Sequence, residues 1–118
     1  MPLRTEYAAT VRTVAAALGA DIGFSVDEID DVRLGISEVF SVLVEGAEDS
    51  SSRATVVFAS GPDQLDVGIT ADGWLEPVEL DELATNILRS VADEFDVGTA
   101  GVTLSKRAAE GAGLLNER

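Results

Sequence analysis

The chain has 118 residues, 46% of them apolar, and carries 22 acidic against 8 basic side chains for a net charge of −14; that length holds one hydrophobic core and not two. With neither cysteine nor histidine, disulfides, zinc-finger chemistry and the Cys-His and Ser-His forms of nucleophilic catalysis are excluded. The negative charge repels phosphate backbones and anionic lipid, no run approaches the ~18 apolar residues of a membrane span, and the first residues lack a signal peptide's pattern, so a cytoplasmic protein that binds neither nucleic acid nor membrane is expected.

Over residues 4–19, Tyr7, Val11, Val14, Ala15 and Leu18 fall on one helical face, with Gly19 placed to end the helix. Ser25-Val26-Asp27-Glu28 is a capping box, flanked by Phe24 and Ile29 as a hydrophobic staple. From there Ile29, Val32, Ile36, Val39, Phe40, Leu43 and Val44 give a broad apolar face that runs to a stop at Gly46. Residues 45–53, rich in serine and acid, read as an exposed loop.

A hairpin is expected next. Residues 53–60 are rich in branched side chains, Gly61-Pro62-Asp63 is a turn, and residues 65–70 alternate apolar with polar or small. After Ala71-Asp72-Gly73-Trp74, helical spacing returns at Leu80, Leu83, Ile87, Val91 and Phe95, with Pro77 at the approach. Gly98 and Gly101 interrupt the chain, residues 102–105 add a strand, and residues 108–118 offer little to pack and are expected to fray, leaving residues 1–107 as the domain. Helix, helix, strand, strand, helix, strand makes an α/β two-layer sandwich, an antiparallel (mixed) sheet covered on one face by helices.

The second helix and its approach, Phe24-Ser25-Val26-Asp27-Glu28-Ile29-Asp30-Asp31-Val32-Arg33-Leu34-Gly35-Ile36-Ser37-Glu38, resemble the anti-sigma factor serine kinases of the RsbW type, within the Bergerat (histidine-kinase-like, GHKL) ATPase superfamily. The resemblance runs from Glu6-Tyr7 and Val11-Arg12 to Leu104, and its most specific piece is Ser37-Glu38. In the family this pair opens Ser-Glu-x-x-x-Asn, whose glutamate activates the substrate serine and whose asparagine holds the magnesium of ATP. Glu38 is therefore the implied general base, or else a carboxylate inherited with the fold; the asparagine position is Val42, which cannot ligate magnesium.

The family's Asp-x-Gly adenine motif is matched by Asp72, with glycine displaced to Gly73 and Trp74 following; without the family, Asp72-Gly73 reads as a tight turn. A glycine-rich phosphate lid is implied between Trp74 and Ile87, but residues 75–85 contain no glycine and four acids, which hinder and repel phosphates. The resemblance with these departures implies a pseudokinase: an anti-sigma-like regulator that binds a sigma factor and/or a STAS antagonist, with no cofactor and no resident metal. The alternative is an active serine kinase that uses ATP and magnesium. Arg12 matches the family's interface arginine, or else pairs with Glu6 or a neighbouring acid, and the resemblance implies a homodimer. The acidity serves solubility or a basic partner, and charge alone does not choose between them.

Overall fold

The computed structural model describes residues 1–47, 52–74 and 77–109. A 3-10 turn at Thr5–Tyr7 leads into α1 (Ala8–Ile22) and α2 (Val26–Gly46); β1 (Ala54–Ser60), β2 (Gln64–Ala71), α3 (Glu82–Val91), β3 (Glu94–Gly98) and β4 (Gly101–Arg107) follow. The strands form one sheet in the order β1-β2-β4-β3, with every pair antiparallel. The fold is a two-layer α/β sandwich.

Helix α1 runs past Gly19, where a stop was expected, and ends at Gly23 (φ 99°). There the Gly23 N–H donates to the Ala20 carbonyl and the Phe24 N–H to the Gly19 carbonyl at 2.9 Å, the paired bonds of a Schellman cap, which need a left-handed residue at Gly23. Gly19 instead makes room: a Cβ there would stand 2.9 Å from a Phe24 ring carbon and 3.3 Å from an Ile29 side-chain carbon. The two staple residues thus converge on the bare backbone of the preceding helix, which joins α1 to the start of α2.

The capping box forms as its sequence requires. The Glu28 N–H donates to Ser25 Oγ at 3.1 Å and the Ser25 N–H to Glu28 Oε1 at 2.8 Å, so two donors that the helix cannot satisfy internally find partners. Along α2, Ile36, Val39, Phe40 and Leu43 are wholly buried. They meet one face of the sheet, where Leu65, Val67 and Ile69 of β2 and Val102 and Leu104 of β4 are also buried. The register opposes Val67 to Leu104 and Ile69 to Val102. The other face carries Thr55, Thr70, Thr103 and Ser105, the polar half of the period-two alternation.

On the inner face Lys106 reaches across the layers, with Nζ 3.0 Å from Asp31 Oδ2 on α2 and 3.1 Å from the Val91 carbonyl at the end of α3. One cation thus balances an acid and takes up a terminal helix carbonyl that would lack a partner.

Two readings of the chain's last third change. Phe95, placed on the helical period, lies in β3, a strand not anticipated, where it faces Leu104. Its neighbours Glu94, Asp96 and Val97 carry the period-two signal, and Gly98 and Gly101 bracket a hairpin turn instead of breaking the chain. In α3 the buried stripe is Ala84, Leu88 and Val91, while Leu83 is 67% exposed and Leu80 precedes the helix. Residues 110–118 of the expected tail lie outside the described residues; just before them, the Ala108 N–H donates to the Asp63 carbonyl and the Ala109 N–H to Glu28 Oε2.

Ser25→Ala removes half of the capping box at an exposed position and is expected to cost about 1 kcal/mol of stability. The measurement is a lower urea midpoint with an unchanged slope; an unchanged midpoint would show that the cap contributes nothing.

Candidate functional site

The residues singled out by sequence gather around the second half of α2 and what packs against it. Arg12, on α1, is half-buried and donates from Nη1 to Ser37 Oγ at 3.0 Å. Glu6, an alternative partner, pairs instead with Arg4 at 3.6 Å. The Arg12–Ser37 bond spans the α1–α2 contact and sets a guanidinium beside the helical turn that carries Glu38, which is itself half-buried. Among the described residues no ion pair joins Arg12 or Glu38 to an opposite charge. Four of the five guanidinium donors remain beyond the one bond to Ser37, so this end of α1 presents a planar cation suited to carboxylate or carbonyl acceptors.

One turn beyond Glu38, Val42 is half-buried and packs against the core. Val42 and Gly46, four apart, share a helical face, and Trp74 lies against Gly46. A Cβ on Gly46 would stand 3.0 Å from Trp74 Cζ2 and would collide with Cη2. The benzo edge of the indole is therefore seated directly on the α2 backbone. Gly46, expected as a stop, is the last residue of α2 and is followed by Ala47 in extended backbone (φ −72°, ψ 130°). Its want of a side chain serves Trp74 and not a left-handed cap.

Asp72 and Gly73 form the turn that delivers Trp74 there. Gly73 has φ +78° with nothing within 4 Å of a built Cβ, so it is the backbone conformation that requires glycine, not space. Asp72 is exposed, and its N–H donates to the Arg53 carbonyl at 2.8 Å. No hydrogen bond or ion pair among the described residues links Asp72 to Glu38 or to Arg12.

The segment expected as a lid is described from Pro77 onward. Pro77 bridges Thr99 and the Val78 N–H donates to the Gly98 carbonyl, which binds the approach to the β3 end of the sheet. Asp81 then caps α3: its Oδ1 accepts from the Ala84 N–H at 2.7 Å. A helix N-terminus open to phosphate offers these N–H groups to the ligand; here the chain's own carboxylate takes one. Among the described residues, no cluster of three or more acidic side chains is arranged to hold a metal ion.

Two contributors escaped the sequence reading. Ser37 was noted only as the first letter of a motif, and its bond to Arg12 depends on how α1 lies on α2. The capping role of Asp81 was legible although it was not read, since an aspartate directly before a helical run is a start signal.

No family model matches the chain. Among curated proteins it is 30% identical over 74 residues to the serine-protein kinase RsbW of Bacillus cereus (strain ATCC 10987 / NRS 248), covering 62% of this chain and 46% of that protein. It is 29% identical over 98 residues to the serine-protein kinase RsbW of Bacillus cereus (strain Q1), covering 82% and 57%. The chain is similar to the RsbW-type serine-protein kinases. A Bacillus mycoides (strain KBAB4) serine-protein kinase RsbW is 28% identical over 74 residues, and the chain spans about half the length of the curated relatives it matches. Beside these RsbW-type relatives, the α2 face with Val42, the Asp72-Gly73 turn and the self-capped α3 are the features to be weighed for function.

Gly46→Ala is expected to push the indole off α2. Trp74 is the single tryptophan, so its fluorescence reports the change without ambiguity: a red-shifted emission maximum and faster acrylamide quenching are expected, with helical circular dichroism retained. Unchanged emission would show that the indole does not rest there.

Proposed function

We propose that this chain is a cytoplasmic regulator of the anti-sigma kind that works by binding a protein partner, a sigma factor and/or a STAS antagonist, as a homodimer and without ATP turnover. The observation that carries the reading is Trp74 seated on Gly46, one helical turn beyond Val42. Valine offers no oxygen to magnesium, which takes hard oxygen ligands in near-octahedral order, and the turn beyond it is covered by the indole. Asp81 adds to this by capping the α3 N-terminus with its own negative charge, which opposes an anion there. The residues present therefore do not suit a magnesium-bound triphosphate, and no catalytic step is assigned to Glu38.

Partner binding draws its support from Arg12. Held by Ser37 through one bond, the guanidinium keeps a fixed position and most of its donors. Pre-positioned arginines of this kind are frequent anchors of interfaces. The acidic surface suits a basic partner and speeds its encounter.

The second reading is an active serine kinase, favoured by the names of the relatives and by a half-buried Glu38 beside Ser37. Thermal melting with and without magnesium-ATP separates the two. No shift is expected, whereas a bound ligand at a hundred times its Kd adds roughly 2.7 kcal/mol; a clear upward shift would reinstate the kinase. For the partner, capture from a cell extract is expected to retain a sigma factor or a STAS protein on the wild-type chain, and Arg12→Ala is expected to weaken that retention by about tenfold or more. Equal retention by the variant would remove Arg12 from the interface.

A further inference from the structure

Helices α2 and α3 lie side by side on the sheet and run in opposite directions. The end of α3 is tied to the first half of α2: Lys106 Nζ reaches both Asp31 and the Val91 carbonyl, and a Cβ on Gly35 would stand 3.4 Å from a Val91 methyl. The start of α3 is tied to the other end. Pro77 and Val78 pair with Thr99 and Gly98, in the hairpin whose Ala100 carbonyl accepts from the Ala71 N–H. From Ala71 the chain leads directly to Trp74 on Gly46, the last residue of α2.

Two antiparallel helices on one sheet are related by an approximate two-fold axis normal to it, so equivalent rows of the two face each other. In α2 the row beside α3 is Gly35, Glu38 and Val42, each one position before a buried residue (Ile36, Val39, Leu43). The equivalent row of α3 is Leu83 and Ile87, one position before buried Ala84 and Leu88. Rows between packed helices are normally covered, yet Leu83 is 67% exposed, and Glu38, Val42 and Ile87 are only half-buried. The helices therefore touch at Gly35 and Val91 and leave a groove between them toward the Gly46 end. Leu34, 51% exposed, and Glu45 stand on its α2 rim. Glu38 and Glu45, seven residues and about 10.5 Å apart along the helix, form no ion pair among the described residues.

We propose that this groove receives one helix of a protein partner, amphipathic and basic. Its apolar face covers Leu34, Val42, Leu83 and Ile87, and lysines or arginines seven residues apart along it pair with Glu38 and Glu45. This locates a binding surface for the partner proposed above and rests on that reading. Charge selects the occupant: two carboxylates on a chain of net charge −14 turn away anions and attract cations, while the leucines and isoleucine between them require an apolar face. An amphipathic basic helix offers both at helical spacing. A second copy has no such helix to give, since α1, α2 and α3 carry one basic residue each, Arg12, Arg33 and Arg89. Arg12 meets α2 at Ser37, on the flank turned away from α3, so its contribution and that of the groove are separable.

The probe is a synthetic Leu/Lys peptide of about 14 residues, four helical turns, with leucines on one face and lysines seven apart. Its control has the same composition in an order that destroys the apolar face. Titration followed by the emission of Trp74, the single tryptophan, is expected to show a blue shift and at least tenfold tighter binding of the amphipathic peptide. Leu83→Ser alters a side chain that stands mostly in solvent, and it is expected to weaken that binding about tenfold, as is Glu38→Gln combined with Glu45→Gln. Val57→Ser, at a residue 60% exposed on the outer face of the sheet, is expected to leave it unchanged. Equal affinity for the two peptides, or binding that Leu83→Ser does not weaken, overturns the groove. In the capture experiment above, Leu83→Ser is expected to lose the sigma factor or STAS protein that the wild type retains. Equal retention by Leu83→Ser overturns the groove alone, and a wild type that retains neither overturns it together with the reading on which it rests.

Discussion

The burial of one stripe of α2 holds the molecule together. Ile36, Val39, Phe40 and Leu43 are withdrawn from water between the other helices and the sheet, and removing such side chains from solvent contributes about 1.5–3 kcal/mol apiece. Each neighbouring element is then fastened to a different position on this helix. The staple residues Phe24 and Ile29 lock α1 at its start, Asp31 takes Lys106 from β4, Ser37 takes Arg12 from α1, and Gly46 seats Trp74 from the turn after β2. Because these attachments share one rigid rod, Arg12 and the indole keep a fixed relation although they are far apart in sequence.

Charge and its local absence divide the surface between tasks. A chain of −14 carries a field that favours basic partners and opposes its own copies. The acids at Asp81, Glu94 and Asp96 sit at a helix start and a sheet edge, where carboxylates satisfy backbone donors or discourage stray pairing. Against that background Arg12 stands out as a half-buried cation whose bond goes to a hydroxyl and not to an acid.

Much of the fold was legible. The capping box, the α2 stripe and the first hairpin each carry a local signal of the right period, and each formed where it was read. β3 was missed because a five-residue strand that ends in Gly98 leaves room for little more than one alternation, and Phe95 also fits the helical count of the preceding segment. The α1 boundary was misplaced because glycine has two uses, and Gly19 and Gly23 exchange them: one admits a neighbour's ring, the other adopts the left-handed turn. Gly46 repeats the lesson at the end of α2.

By itself the sequence determined every element but β3, the sheet's buried face and the chemical types available, because helical and strand periods, caps and composition are local properties. The candidate residues Arg12, Glu38, Asp72 and Gly73, and the departures at Val42 and Trp74, were likewise present as letters in a resemblance to a kinase family. Only the tertiary structure decided that Arg12 meets Ser37, that the indole comes to rest on Gly46, and that Met1 pairs with Ala54. Those outcomes depend on how helices and strands separated by tens of residues come to rest on one another, and no pattern within a short window encodes such a meeting.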